Sequence, residues 1–123
     1  MKYLLIDDND LNLKMLDKMV RNLSSSDTQL VTNIPEALFL AFSEPWDAIF
    51  LDILMPGYNG NDFLKICDSL YEAGKLPQNF KVIVVTGIDS LEELRRYTTI
   101  PYVSSVIRKP IRQQDILQAI DLL

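Results

Sequence analysis

The sequence predicts an α/β fold with five strand–helix units, (βα)5, forming one doubly wound, parallel, five-stranded sheet. Short apolar runs alternate with segments of helical periodicity along all 123 residues. The stretch "KVIVVT" (81–86) is rich in β-branched residues, as is typical of a central strand buried on both faces. This alternation requires a parallel sheet with helices on both faces. No repeat or linker interrupts it, so we expect one domain over 1–123, with no output domain in this chain.

The apolar runs predict strands at 3–6, 29–32, 47–52, 81–86 and 102–107. The first helix is predicted over 10–23, where apolar residues fall on one stripe: Leu13, Leu16, Val20 and Leu23. Pro35 suits the first turn of the second helix. The run Ser24 to Ser26 between these two units predicts a loop.

The third helix is predicted over 61–73, and Gly74 ends it. Its inward face is expected to consist of Phe63, Ile66, Cys67 and Leu70. Ser90 and Glu93 have the spacing of a capping box for the fourth helix, and the fifth is predicted over 112–123. Side chains expected to pack in the core or at its edge are Met15, Met19 and Trp46.

Polar residues occur where the predicted strands end. Asp7 and Asp8 follow the first strand, Asp52 ends the third, Thr86 ends the fourth and Lys109 ends the fifth. Each has a simple structural explanation, such as a helix cap or the end of a strand. Together they would meet at one edge of the sheet, where ligands of open α/β proteins bind. Converging carboxylates need a cation, and Mg²⁺ prefers oxygen ligands.

Composition excludes several classes of protein. There is no histidine, which removes Ser-His-Asp and Cys-His catalysis and any phosphohistidine on this chain. The single cysteine excludes an internal disulfide and favours a reducing, cytoplasmic setting. The net charge of −5, with its acidic excess within 1–80, argues against direct nucleic-acid binding. No apolar run is long enough for a membrane span.

Four motifs, in order, carry a resemblance to a known family: "LLIDDND", "DILMPGYNG", "VIVVTG" and "IRKP". The chain resembles the response regulator receiver domain (CheY-like) of two-component signalling along nearly its whole length. The resemblance implies a flavodoxin-like strand order 2-1-3-4-5. It also implies a cis peptide between Lys109 and Pro110.

The resemblance further implies a role for each residue at the sheet edge. Asp52 would accept a phosphoryl group, Lys109 would pair with a phosphoryl oxygen, and Thr86 would donate its hydroxyl to another. Such a domain catalyses its own phosphorylation and slow dephosphorylation, and it is not a turnover enzyme. Mg²⁺ would be bound by Asp7, Asp8, Asp52 and the backbone carbonyl of Leu54.

The implied partners are a histidine kinase or histidine phosphotransfer protein as donor, and an output domain or effector as receiver of the signal. The face formed by the fourth helix, fifth strand and fifth helix is a candidate for effector contact, and a homodimer through it stays open.

Three features depart from the family pattern. Val106 stands where an aromatic residue is common, so we expect phosphorylation to shift the loop after the fourth strand with little change in the fifth. Leu54 and Ile88 flank the site with apolar side chains, which predicts a long-lived aspartyl phosphate. The segment 72–79 is longer than in the shortest members.

Two alternatives stay open at this point. One is a module of the same fold that signals by protein contact without phosphate, which Val106 favours and the complete set of polar residues disfavours. The other is a small hydrolase or flavin carrier. It is disfavoured because no Gly-rich phosphate loop follows the first strand.

Overall fold

Residues 1–23 and 25–123 are described by the structure, a computed structural model, so Ser24 of the predicted loop lies outside the described residues. The strands are β1 (Lys2–Ile6), β2 (Asp27–Val31), β3 (Ala48–Asp52), β4 (Val82–Thr86) and β5 (Val103–Arg108). The helices are α1 (Asp10–Leu23), α2 (Ile34–Ser43), α3 (Gly60–Glu72), α4 (Leu91–Thr98) and α5 (Gln113–Asp121). The strands form one parallel sheet in the order β2-β1-β3-β4-β5, which confirms the predicted fold class.

The helices cover both faces of the sheet. On one face, Leu13 of α1 and Ile116 of α5 pack against side chains such as Phe50 of β3. On the other face, α2, α3 and α4 pack against alternate residues of the same strands, including Leu51. Every residue of β3 and β4 is buried, because these two strands lie inside the sheet and are covered on both sides.

The helix ends carry the predicted capping residues, but the capping box predicted for α4 is incomplete. Asn33 caps α2, with Pro35 in its first turn, and Gly74 adopts a φ of 68° just after α3. Ser90 caps α4 by accepting from the amide of Glu93. Within the described residues, Glu93 makes no return bond to the Ser90 amide, so the predicted capping box is incomplete. Such return bonds are found at α3, where the Asp62 carboxylate accepts from the Asn59 amide, and at α5, where the Asp115 carboxylate accepts from the Arg112 amide.

Two details of the sequence prediction were wrong. Ile66 is 44% exposed, because the buried arc of α3 is centred near Cys67 and takes in Leu64 instead. Met15 is 51% exposed on the surface of α1. Lys109 directly follows β5, which ends at Arg108, one residue later than predicted. The prediction for Cys67 is confirmed: the side chain is buried, and burial, with a smaller effect of Asp68, raises the pKa of its thiol to about 12.

Among the described residues, no helix is both long and apolar enough to cross a membrane.

Candidate functional site at the carboxyl edge of the sheet

The sheet brings the predicted polar residues together because neighbouring parallel strands end at the same edge. Asp52 is the last residue of β3 and pairs in register with Val85 of β4. The amide of Lys109 donates to the Thr86 carbonyl at 2.8 Å, and the amide of Asp7 donates to the Val31 carbonyl at 3.1 Å. Backbone hydrogen bonds therefore fix each of these residues relative to an adjacent strand.

A buried carboxylate lies at the centre of the site. Asp52 is 2% exposed and Asp7 is 5% exposed. The Lys109 Nζ atom lies 3.1 Å from Asp52 Oδ1 and 3.6 Å from Asp7 Oδ2, so one ammonium group contacts both acids. The direction from the Lys109 ammonium group to Asp52 Oδ1 does not meet hydrogen-bond geometry, so this contact is an ion pair only. Within the described part of the chain, Asp52 Oδ1 has no hydrogen-bond partner. This oxygen is a buried acceptor with unused capacity.

The electrostatic environment favours the protonated form of Asp52 more than water does. Burial, followed by repulsion from Asp7, raises the pKa of Asp52 from 3.8 to about 6, although Lys109 acts in the opposite direction. The desolvation of the carboxylate therefore outweighs its contact with the ammonium group. At neutral pH the group is still mostly ionised, as a nucleophile must be.

The turn after β3 holds the carboxylate in place. The Gly60 amide donates to the Ile53 carbonyl at 3.1 Å, which returns the chain to the end of β3 at the start of α3. A Cβ atom on Gly60 would lie 2.6 Å from the carbonyl oxygen of Asp52, so only glycine fits there without displacing the strand. Met55 is buried within this turn, and Leu54 is 59% exposed above it.

Thr86 and the loop after it form the side of the site next to β4. Thr86 is fully buried, and its Oγ1 atom accepts from the amide of Ile88 at 3.1 Å. The hydroxyl is thereby connected to the loop that leads into α4. The Ile88 side chain packs against the core on the face covered by α2, α3 and α4.

A third acid completes the cluster. Asp8 is exposed, and ligand oxygens of Asp7, Asp8 and Asp52 can all lie within 4.8 Å of one another. The Asp7 Oδ1 atom accepts from the amide of Asn9, which orients that carboxylate. Three hard oxygen donors and the unused capacity of Asp52 Oδ1 fit a Mg²⁺ ion.

Sequence reasoning did not give a role to Gly60, although its place in the "DILMPGYNG" motif marks it as a candidate for a close backbone approach. It also missed a cavity of about 160 Å³ between α1 and the site. Met15 and Met19 line its α1 side, and Asp52 and Lys109 line its inner end. The cis peptide at Lys109-Pro110 is confirmed.

Comparison with known proteins assigns this architecture. A family model described as the response regulator receiver domain matches residues 3–121. The chain belongs to this family. Receiver domains are signalling domains, not turnover enzymes, and bind Mg²⁺ at an acidic pocket.

Curated relatives include stress response regulator protein 1 of two yeasts. The protein from Meyerozyma guilliermondii is 32% identical over 98 residues, which are 78% of this chain and 43% of that protein. The protein from Lodderomyces elongisporus is 35% identical over 95 residues, 76% of this chain and 25% of that protein. The chain thus spans less than half the length of these relatives.

Solved structures share the fold. The receiver domain of the Francisella response regulator 1452 has a TM-score of 0.76 at 25% identity, covering 98% of this chain and 94% of that one. Vibrio cholerae chemotaxis protein CheY4 has a TM-score of 0.78 at 19% identity, covering 98% and 95%. The BeF3-activated DrrB receiver domain has a TM-score of 0.74 at 20% identity, covering 98% and 93%. The last two likenesses concern the fold alone.

Proposed function

We propose that this receiver takes a phosphoryl group from a phosphohistidine of a partner onto Asp52, with Mg²⁺, and then changes conformation to control an output domain or effector. One observation carries the proposal. A nearly inaccessible carboxylate is held at the end of a central strand, in contact with a lysine and beside two further aspartates. Burial and the neighbouring Asp7 raise the pKa of this carboxyl to about 6, and such perturbed acids are concentrated at functional sites.

Transfer of the phosphoryl group forms one bond to phosphorus and breaks another. An oxygen of the ionised Asp52 forms a bond to phosphorus while the phosphorus–nitrogen bond of the donor imidazole breaks. The imidazole nitrogen leaves with the electron pair of that bond. No proton has to leave Asp52, so a chain without histidine needs no general base for this step.

Asp7, Asp8, Asp52 and the backbone carbonyl of Leu54 are the proposed ligands of Mg²⁺. When bound, the ion offsets the negative charge that the phosphoryl oxygens bring into the acidic cluster. The fit rests on the approach of the three carboxylates and on the hydrogen-bonding capacity left on Asp52 Oδ1. The Leu54 carbonyl enters through the family resemblance and stays a prediction.

Lys109 and Thr86 are the proposed contacts of the phosphoryl oxygens. The Lys109 ammonium already lies 3.1 Å from Asp52 and can pair with an added oxygen by a small movement of its side chain. The Thr86 hydroxyl, which accepts from the Ile88 amide here, would rotate to donate to the phosphoryl group. That rotation would release the amide and so alter the loop that precedes α4.

The response is proposed to pass to a partner through the face formed by α4, β5 and α5. Val106 lies half-buried on β5, where relatives of the fold commonly have an aromatic side chain. This favours a phosphate-independent interaction module as the second candidate. The two are separated by whether Asp52 takes up phosphate.

The deciding experiment is intact-protein mass spectrometry after incubation with a small phosphodonor and Mg²⁺. We expect a gain of about 80 Da, the mass of one phosphoryl group, in the wild type. The gain should disappear in Asp52→Asn and when the metal is chelated, and it should persist in Asp121→Asn, which alters an exposed acid at the end of α5. No gain, with a donor that modifies a control receiver, would favour the second candidate.

A further inference from the structure

Helix α4 is attached to the protein very unequally at its two ends. Tyr97, near its C-terminal end, is 1% exposed and is the buried side chain of this helix. Leu91, in the first turn, is 67% exposed, and Leu94 is half-buried. The C-terminal end therefore contributes most of the burial that holds the helix against the core.

Hydrogen bonds fix the buried end further. The Tyr97 hydroxyl donates to the Asn61 Oδ1 atom at 2.9 Å. A guanidinium nitrogen of Arg96 donates to the same oxygen at 3.3 Å, and the guanidinium carbon lies 5.2 Å from the centre of the Tyr97 ring. We call these three residues, Asn61, Arg96 and Tyr97, the anchor.

The anchor is attached to the start of α3, which packs directly on the end of β3. Asn61 is the second residue of α3 and follows Gly60, whose backbone packs directly on Asp52 and Ile53. The Asn59 side chain accepts from the Asn61 amide at 2.9 Å, and this hydrogen bond is a second restraint on the start of α3. Movement of the anchor would require the turn that positions Asp52 to move as well.

The other end of α4 is held by weaker contacts, one of which phosphorylation would change. Asp89, just before the Ser90 cap, forms an ion pair with Arg108 of β5, but both side chains are exposed, so this pair contributes little. The loop into α4 begins at Gly87, where a Cβ atom would meet nothing within 4 Å. Its amide at Ile88 is bound to the Thr86 hydroxyl, the group proposed to turn toward a phosphoryl oxygen. The first turn of α4 is then held by the Ser90 cap and carries no buried side chain among its described residues.

We propose that α4 responds to phosphorylation by pivoting about Tyr97, with its N-terminal end moving and its C-terminal end held by Asn61. The inference rests on the proposed function, because it takes the displacement of the Thr86 hydroxyl as the trigger. Asn61 and Tyr97 act here as positioning residues that touch neither the donor nor the phosphoryl group. The surface that changes for a partner is accordingly the start of α4, around Leu91.

Amide NMR of the wild type with and without beryllofluoride and Mg²⁺, a mimic of the aspartyl phosphate, tests the pivot. We expect the shift changes to be large over 87–92 and to decline along α4 to small values at 97–99. In Tyr97→Phe, which lacks the anchoring hydroxyl, residues 97–99 should respond as strongly as 91–93. Hydrogen exchange at 97–99 should be roughly five-fold faster, as expected for one lost buried hydrogen bond.

Tyr3→Phe is the matched control. Tyr3 is also fully buried, but its hydroxyl contacts Met1 Sδ on the opposite face of the sheet, so the decline along α4 should stay as in the wild type. Asn61→Ala removes the same bond from the acceptor side and should reproduce the effect of Tyr97→Phe.

Equal shift changes along the whole of α4 in the wild type would overturn the pivot, as would an unchanged decline in Tyr97→Phe. These results differ from failure of the proposed function. In that case, the mimic would leave the amides around Asp7, Asp8 and Asp52 unchanged, and both proposals would fall together.

Discussion

Replacing Asp52 with asparagine is expected to make the metal-free protein more stable at neutral pH, although it removes the proposed phosphoacceptor. The wild-type carboxylate is 2% exposed, and its charged form is disfavoured by burial and by Asp7 more than Lys109 favours it. Asparagine has nearly the same shape but carries no charge, so the folded state no longer has to hold an ionised group there.

The magnitude follows from the pKa of Asp52 in the two states. Its pKa rises from 3.8 in the unfolded chain to about 6 in the folded protein. At about 1.4 kcal/mol per pH unit, this difference costs the wild type about 3 kcal/mol once the group is ionised in both states. The cost is absent below pH 3.8, grows as the pH rises, and is complete above about pH 6. The gain in Asp52→Asn should follow the same course.

Urea denaturation in the presence of a chelator, at several pH values between 4 and 7.5, measures this difference as free energies of unfolding. The variant should exceed the wild type by up to about 3 kcal/mol at pH 7.5 and match it near pH 4. Asp121→Asn, at an exposed position, should differ from the wild type by less than about 0.5 kcal/mol throughout. Added Mg²⁺ should stabilise the wild type and narrow the gap, because the ion binds the folded state.

The reasoning would be refuted if Asp52→Asn were no more stable than the wild type at pH 7.5, or if its advantage did not depend on pH. The first result would mean that Lys109 offsets the cost of burying the charge. The second would mean that packing around the side chain, and not its ionisation, determines the difference.

Three further predictions concern the same site. Gly60→Ala should lower the free energy of unfolding by about 1 to 3 kcal/mol and slow phosphoryl uptake, because its Cβ would lie 2.6 Å from the Asp52 carbonyl oxygen. Gly87→Ala is the control: its Cβ would meet nothing within 4 Å, so neither quantity should change. Leu54→Asn should speed the loss of the phosphoryl group, followed by mass spectrometry, because an amide can orient water; unchanged decay would count against this. Lys109→Gln should raise the pKa of Asp52 above about 6 in a carboxyl NMR titration without metal, and a lower value would contradict the assigned effect of the ammonium group.

The fold was predictable because its signals are local and mutually consistent. The apolar runs are short, the helices carry caps, and the polar residues stand at the strand ends, so the topology follows from a few rules. The edge of the sheet then brings Asp7, Asp52, Thr86 and Lys109 together whatever the finer packing. Strand ends shifted by one or two residues in both directions. Hydrogen bonding extends β2 back to Asp27, whereas β3, β4 and β5 each begin one residue after the predicted start.

Other features depend on contacts that spacing does not encode. Ile66 and Leu64 are both apolar, and which of them is buried depends on how α3 rotates against the sheet. Tyr97 lies in a polar helix, and its bond to Asn61 spans 36 residues of sequence, so no local pattern indicates it. The raised pKa of Asp52 likewise requires the depth of burial and the distance to Asp7, which only the folded chain defines.

The buried thiol of Cys67 allows local unfolding around α3 to be followed by chemical modification of the thiol. The chain has one cysteine, and burial raises the pKa of that thiol to about 12, so a thiol reagent meets almost no reactive thiolate while α3 stays packed. Modification of the intact protein would therefore require the α3 region to open, so its rate at limiting reagent reports the population of the open form, without any engineered label. The same protection leaves every surface position available for a single introduced cysteine, so a spectroscopic probe could be placed at the start of α4 with little background from Cys67.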